Sequence, residues 1–325
     1  MQQEIRFATF NVFNLAPPGA KLYDNLVPFT EQEYEAKVAW TAHQLDLLGA
    51  DVIGFQEVFS QSVLREVLSR TRGYREAVHL GHDPEPGAER LTPSVALVSR
   101  LPVAPGSGTA LKHFPPGIEM PDGSREPTRF TRPPLHAAIE VSPDLTIDVV
   151  VVHLKSRRPD YRNGDTGEDP LLYAMASLRS LVRRGTEAAA LRVLMTDLAR
   201  TSRRPRVLLG DFNDVADSVT TGIVLGTGGP LGDRLFDACQ LQRRQDHLRH
   251  VGFSCVHEGH HTTIDHILVS EEFNADLPNA IGEVVDVVYL NDHLELELPE
   301  ASDHGQVVAR IRLYDEAHGL RDAGV

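Results

Sequence analysis

The chain has 325 residues, 41% hydrophobic and 24% charged, with 25 glycines and 21 prolines. That profile excludes collagen-like and low-complexity disordered chains and leaves ample material for a packed core. Its 32 basic residues against 46 acidic ones give a net charge of −14, the wrong sign for a scaffold that grips nucleic acid through a broad basic face.

Taken in chain order, a strand is expected at Ile5–Val12. A helix follows at Glu31–Leu48, where Val38, Ala42, Leu45 and Leu48 recur at helical spacing. Next come a strand at Val52–Gln56, a helix at Ser60–Ser69 and a strand at Val95–Ser99. Loops rich in Pro, Gly, Asp and Glu fall at Asp83–Ala88, Phe114–Arg132 and Pro159–Pro170. Strands are expected at His136–Val141 and Thr146–His153, then a long helix at Leu171–Ala199 that Gly185 is expected to split in two. A strand at Arg206–Gly210 and a helix at Leu231–Gln240 precede strands at Thr263–Val269, Val284–Val288 and Gln306–Leu313. Several strands are apolar nearly throughout, which implies sheets covered on both faces and hence layers rather than an open barrel.

The informative pattern is what stands at the strand ends. Six apolar segments each carry a carboxylate, carboxamide or imidazole at or beside one end: Asn11, Glu57, His153, Asp211-Phe212-Asn213, Asp265 and Asp303-His304. Strand ends can present side chains to a cleft while a rigid core holds them. Glu57 and Asp303 are oxygen ligands of the kind Mg²⁺ prefers, with Asn11 and water completing the shell. Such an ion polarises a phosphoryl oxygen, so the set points to phosphate-ester cleavage. Asp211 and Asn213 share one side of an extended segment, so one can orient the attacking water while the other binds a phosphoryl oxygen. His153 and His304 can act as acid, base or phosphate donor near neutral pH, and Asp265 can fix the tautomer of His304. Each group alone has an ordinary structural explanation as a turn former, helix-start charge or interior histidine; their joint occurrence carries the argument.

At this point the chain resembles the exonuclease–endonuclease–phosphatase superfamily, the deoxyribonuclease-I-like fold. The resemblance runs through Thr9-Phe10-Asn11-Val12, Asp51 to Glu57, His153-Leu154-Lys155-Ser156, Gly210-Asp211-Phe212-Asn213-Asp214, Ile264 to Ser270 and Ser302-Asp303-His304. It implies an α/β four-layer sandwich, two mainly antiparallel β-sheets packed face to face with helices outside. It also implies a divalent-metal phosphodiesterase or phosphatase. By matching position, Asn11, Glu57 and Asp303 lie on the metal side, and His153 contacts phosphate. Asp211 and Asn213 flank the nucleophile, Asp265–His304 form a dyad, and Arg132 resembles an arginine that enters the cleft. Where several family nucleases carry a second acid, two positions after the asparagine, this chain has Phe13. One Mg²⁺, replaceable by Mn²⁺, is therefore expected. Because the first and last motifs must share one cleft, residues 1–325 are expected to form a single domain.

The expected activity is hydrolysis of phosphodiesters, first as a nuclease on DNA or RNA, with a lipid headgroup or small phosphoester as the alternative. Phe253-Ser254-Cys255-Val256 with the strand after it looks like the branch of bacterial extracellular-type nucleases. Lys155, Arg157, Arg158 and Arg162 against Asp160 make a local charge of +3 that suits flanking phosphates of a polyanion. His257-Glu258-Gly259-His260-His261 formally matches the zincin protease pattern, whose histidines must lie one helical turn apart. The strand-like residues before it and Gly259 within it argue against that helix. No apolar run reaches the roughly 20 residues of a membrane span. Met1-Gln2-Gln3-Glu4-Ile5 lacks the marks of a signal peptide, and Cys239 and Cys255 cannot form a disulfide framework. A cytoplasmic setting is expected, with secretion of a longer precursor left open.

Overall fold

Alternation along the strands builds the architecture. A computed structural model describes residues 3–83, 89–119, 128–162, 167–227, 233–242, 252–296 and 298–314. The loops expected at Asp83–Ala88, Phe114–Arg132 and Pro159–Pro170 lie partly outside these residues. In chain order the elements are β1 (Glu4–Leu15), α1 (Glu31–Leu48), β2 (Val52–Val58), α2 (Gln61–Arg70), β3 (Val78–Gly81), β4 (Ser94–Ser99) and β5 (Thr109–Ala110). They continue with β6 (Leu135–Ser142), β7 (Leu145–His153), α3 (Pro170–Thr201), β8 (Arg206–Asp211), α4 (Val219–Leu225), β9 (Leu235–Asp237) and α5 (Ala238–Leu241). Last come β10 (Cys255–His257), β11 (His260–Thr262), β12 (Asp265–Ser270), β13 (Gly282–Leu290) and β14 (Gln306–Leu313).

One sheet has the order β13-β14-β1-β2-β4-β3 and the other β5-β6-β7-β8-β12-β9, while β10 and β11 form a separate hairpin. Within the sheets only β1–β2 and β7–β8 pair parallel. On the inner faces Ile5, Phe7, Val52 and Leu97 of the first sheet meet Val149, Val151, Val207, Leu209 and Ile267 of the second in one core. The outer face of the first sheet, with Phe10 and Phe55, packs under Val38 and Leu45 of α1 and Val67 of α2. Val150, Val152 and Leu208 on the outer face of the second pack under Leu191 and Met195 of α3. The result is the expected four-layer sandwich. Gly54 faces the opposing sheet where a Cβ would lie 2.1 Å from Leu209 Cδ1 and 2.9 Å from Val151 Cγ1; only a residue without a side chain lets the layers approach this closely.

Some expected elements change. Gly185 does not break α3, which runs unbroken from an Asp169 cap whose carboxylate accepts the Leu171 N–H at 2.8 Å. A single mid-helix glycine costs about 1 kcal/mol, and the core contacts of Ala188, Leu191 and Met195 offset it. The helix expected at Leu231–Gln240 is instead β9 followed by α5, its first two residues lying outside the described ones. Leu235–Asp237 fill the open edge of β12, and Asp237 then caps the short helix through the Cys239 N–H at 2.9 Å. The short strands β3 and β5 and the β10–β11 hairpin were not resolved from sequence, because strands of two to four residues carry too little alternation to stand out.

Candidate active site

Strand parity and register together assemble the cleft. Side chains alternate along a strand, so the inward rows Ile5–Phe7, Val149–Val151 and Val207–Leu209 lead to Asn11, His153 and Asp211, and the row Ile267–Val269 leads back to Asp265. In the second sheet His153 pairs with Asp211 across β7–β8, and Asp265 pairs with Asp211 across β12–β8. Three polar groups therefore stand side by side at one end of the sheet. From the facing sheet Asn11 closes on them, its Nδ2 donating to Asp211 Oδ2 at 3.1 Å.

Asp211 is the hub. Its Oδ1 accepts the Asn213 N–H at 2.7 Å, and its Oδ2 accepts Asn213 Nδ2 at 3.2 Å and lies 3.3 Å from His153 Nε2. Burial, then the neighbouring Asp265, push its pKa up to about 7, against the pull of His304 and these donors. Asn213 holds a left-handed φ of 53°, which turns its amide back onto Asp211 and the Leu154 carbonyl, 3.0 Å away. His153 is fully buried, and burial with Arg132 and His304 nearby holds its pKa well below the ordinary value, so it is neutral. Its Nδ1 has no hydrogen-bond partner.

His304 reaches the same point from the loop before β14. Its Nδ1 lies 2.7 Å from Asp265 Oδ2, and its Nε2 points into the cleft, 3.5 Å from Asn11 Nδ2. Burial disfavours the charged ring, but the Asp265 charge and hydrogen bond, with Asp211 and Asp303 beyond, outweigh it and raise its pKa well above the usual imidazole range. Two serines whose roles the sequence did not disclose lock this dyad. Ser254 Oγ donates to Asp265 Oδ2 at 2.6 Å and accepts the Asp265 N–H at 3.1 Å. Ser302 Oγ donates to the Asn11 carbonyl at 2.6 Å and accepts the His304 N–H at 3.0 Å. The only sequence signal was their place beside the motifs.

The acidic side is built differently. In a regular strand Glu57 would share the helix-facing side with Ile53 and Phe55. A register break in β2 and a left-handed φ of 60° re-aim it, and Phe13 and Asn14 are similarly kinked at 51° and 59°. Glu57 accepts the Asn14 N–H at 3.1 Å. Burial, then Asp303, raise its pKa against the pull of His304 and Arg132. Asp303, more than half exposed, lies with its Oδ1 3.9 Å from His304 Nε2 and acts on Glu57 through its charge; carboxylate oxygens of this kind are the donors a divalent cation takes, so the set fits such an ion. Asn11 Oδ1 accepts the Phe13 N–H at 3.1 Å and retains a second lone pair. Phe13 itself has an ammonium, Lys37 Nζ, 5.5 Å from its ring centre. Asp211, Asp265 and His304 also gather ligand atoms within 4.8 Å, but Asp265 Oδ2 and His304 Nδ1 are already bonded to each other. That trio reads as proton-handling machinery.

Arg132 donates from Nε to the His153 carbonyl at 3.0 Å and from Nη2 to the Leu154 carbonyl. The basic stretch behind it is largely committed to the protein. Arg157 pairs with Asp214 at 2.5 Å, Arg162 approaches Asp160 at 3.7 Å, and Lys155 Nζ donates to the Ser156 and Arg158 carbonyls. The zincin pattern is a hairpin: His257 pairs with His260 across β10–β11, and His261 stacks on Phe253 at 4.1 Å. Its histidines therefore lack the helical spacing that chemistry needs.

A layered α/β sandwich with acids, amides and imidazoles converging at one end defines a class of metal-assisted phosphoester hydrolases. The chain belongs to the Endonuclease/Exonuclease/phosphatase family, whose model matches residues 8–304, and so to enzymes that cleave phosphoester bonds with divalent metal ions. Among solved structures it is similar to the human Nocturnin catalytic domain with bound sulfate, at 15% identity, a TM-score of 0.58 and coverage of 96% of this chain and 98% of that one. Truncated Caenorhabditis elegans TDP2 aligns at 13% identity and TM-score 0.56, covering 95% and 98%. A family member from Bacteroides vulgatus aligns at 14% and 0.57, covering 96% and 100%. No curated protein matches. None of the described helices is long and apolar enough to cross a membrane.

Proposed function

We propose that the protein is a Mg²⁺-dependent phosphodiester hydrolase, a nuclease in the first instance, with residues 1–325 acting as one catalytic domain. The observation that carries this reading is the contact of Asn11 from one sheet with Asp211 from the other, within a set that also bonds Asn213 and His153 to Asp211 and brings His304 Nε2 to 3.5 Å from Asn11 Nδ2. Bound by Glu57, Asp303 and Asn11, the cation would supply Lewis-acid polarisation of a phosphoryl oxygen. Asp211, titrating near neutrality, orients the attacking water and takes its proton. Arg132 has N–H donors left for phosphoryl oxygens, and Asn213 Nδ2 and His153 Nε2 reach them by giving up their contacts to Asp211. His304, kept protonated by Asp265, offers a positive Nε2 to the same oxygens as charge builds there.

A second reading, hydrolysis of a small or lipid-headgroup phosphoester, has its own support. Arg157 and Lys155, two of the four cations expected to track a polyanion, are bonded to Asp214 and to backbone carbonyls, and Arg162 lies 3.7 Å from Asp160; the chain carries −14 overall. The two free cysteines suit a reducing, cytoplasmic setting. Plasmid DNA, RNA, bis(4-nitrophenyl) phosphate and sphingomyelin, each assayed with Mg²⁺ or Mn²⁺, decide between the two. Polynucleotide cleavage that vanishes in Asp211→Ala supports a nuclease. Turnover of the small esters alone supports the second reading, and wild-type rates in Asp211→Ala refute both.

A further inference from the structure

Helix α3 carries a buried carboxylate that the chemistry above does not use. Glu187 is 1% exposed, and its two oxygens are spent on two separate loops. Oε1 accepts the Thr131 N–H at 2.9 Å, the Thr131 hydroxyl at 2.7 Å and Arg183 Nε at 3.1 Å. Oε2 accepts the Lys155 N–H at 2.8 Å. Thr131 directly precedes Arg132, and Lys155 follows His153 by two positions.

These two loops are the ones that meet through Arg132, whose guanidinium spans the His153 and Leu154 carbonyls. The Leu154 carbonyl also accepts Asn213 Nδ2 at 3.0 Å, and its N–H donates to the Asp211 carbonyl at 3.0 Å. A closed circuit results, running from Glu187 through Thr131, Arg132 and Leu154 to Lys155 and back to Glu187. Charge balance does not require it, because Arg183 one turn earlier on α3 already supplies a cation. A buried carboxylate must collect donors, and here the donors come from the backbones on either side of the arginine. The guanidinium has five N–H groups, and the carbonyls occupy only part of that set. Arg132 also lowers the pKa of both Glu57 and Asp211, which places its charge on the cleft.

We infer that Glu187 is the positioning residue for Arg132: by anchoring Thr131 and Lys155 it holds the guanidinium with its remaining donors toward the phosphoryl group. It touches no substrate itself. The inference rests on the phosphodiester reading of the cleft, so its test needs one readout besides turnover.

Glu187→Gln preserves size but replaces one acceptor oxygen with an amide that cannot accept, so one loop loses its anchor. With bis(4-nitrophenyl) phosphate and Mg²⁺, kcat/KM falls by up to about 100-fold, the scale of a small misplacement of a binding group. Arg132→Ala falls comparably, and the double variant falls no further than Arg132→Ala. The pH profile keeps its shape, since Glu187 moves no proton. Independently of activity, the NMR signal of the Arg132 Nε–H exchanges slowly in the wild type and is lost in Glu187→Gln, and affinity for inorganic phosphate drops only where Arg132 is present. Additive losses in the double variant, or an unchanged Nε–H signal and phosphate affinity, overturn the inference. A wild type that cleaves no phosphodiester but shows the signal loss and the Arg132-dependent drop keeps the positioning role while removing the enzymatic reading. If Glu187→Gln does not fold, Thr131→Val, which deletes only the hydroxyl, shows a smaller loss in the same direction. Persistence of that loss in Arg132→Ala overturns the inference as well.

Discussion

The two sides of the cleft are satisfied in opposite ways. Around Asp211, the amides of Asn11 and Asn213, the His153 ring and the Asp265–His304 pair hold one another through hydrogen bonds, with only His153 Nδ1 and Asp265 Oδ1 of these groups left unpartnered. Around Glu57, a half-buried carboxylate takes one backbone N–H at 3.1 Å and feels the charge of Asp303. The first side is finished by folding, so its geometry is set before substrate arrives. The second brings Glu57 and Asp303 near the buried Lys37 ammonium, and it is the side proposed to take the metal ion.

Removing either side therefore has different consequences. Asp211→Asn has the largest expected effect, a loss of about 10²–10⁴-fold in kcat, the range for a general acid–base group, and raising Mg²⁺ does not recover it. Glu57→Gln also lowers activity, but higher Mg²⁺ restores part of it. The metal requirement should rise by at least the ~10–100-fold typical of groups that merely support a metal ligand, as read from activity against free Mg²⁺. If excess metal rescues both variants equally, the contrast between the two sides fails.

Asp265→Asn sharpens the comparison through pH. Asp265 raises the pKa of both Asp211 and His304. On the proposed mechanism the wild-type rate should climb as Asp211 loses its proton near pH 7 and decline at higher pH as His304 loses its own. Removing the Asp265 charge lowers both values, so both limbs of the pH–kcat curve move toward acid. The smallest effect concerns the sandwich itself. Gly54→Ala forces a Cβ against Leu209 and Val151 and should cost about 1–3 kcal/mol, as overpacked cores do. Thermal unfolding measures the loss.

Much of this cleft was legible in the sequence because parity and strand ends are local properties. The apolar runs leading to Asn11, His153 and Asp265 can be read from neighbouring residues, whereas Asn213 comes to Asp211 through a left-handed turn beyond β8 and not through the extended segment expected there. Partners chosen by the tertiary fold could not be read this way. Nothing local marks Ser254 as the donor to Asp265, Ser302 as the clamp between Asn11 and His304, or Glu187 as the anchor of two loops. The mistaken helix at Leu231–Gln240 has the same origin, since the open edge of β12 selected Leu235–Asp237 as a strand. Within the +3 stretch after His153, the sequence does not show that Arg157 pairs with Asp214, 57 residues further along.

The backbone turn at Glu57 carries a consequence for how this protein tolerates change. Its φ of 60° belongs to the region glycine visits freely and other residues enter at a cost of roughly 1–3 kcal/mol. Glu57→Gly would relax that turn and remove a half-buried carboxylate whose charged form its surroundings disfavour. The expected product is a sturdier but inert protein with a higher melting temperature. Screening for thermostability alone would thus drift toward dead variants at this position, and any such campaign should hold Glu57 fixed.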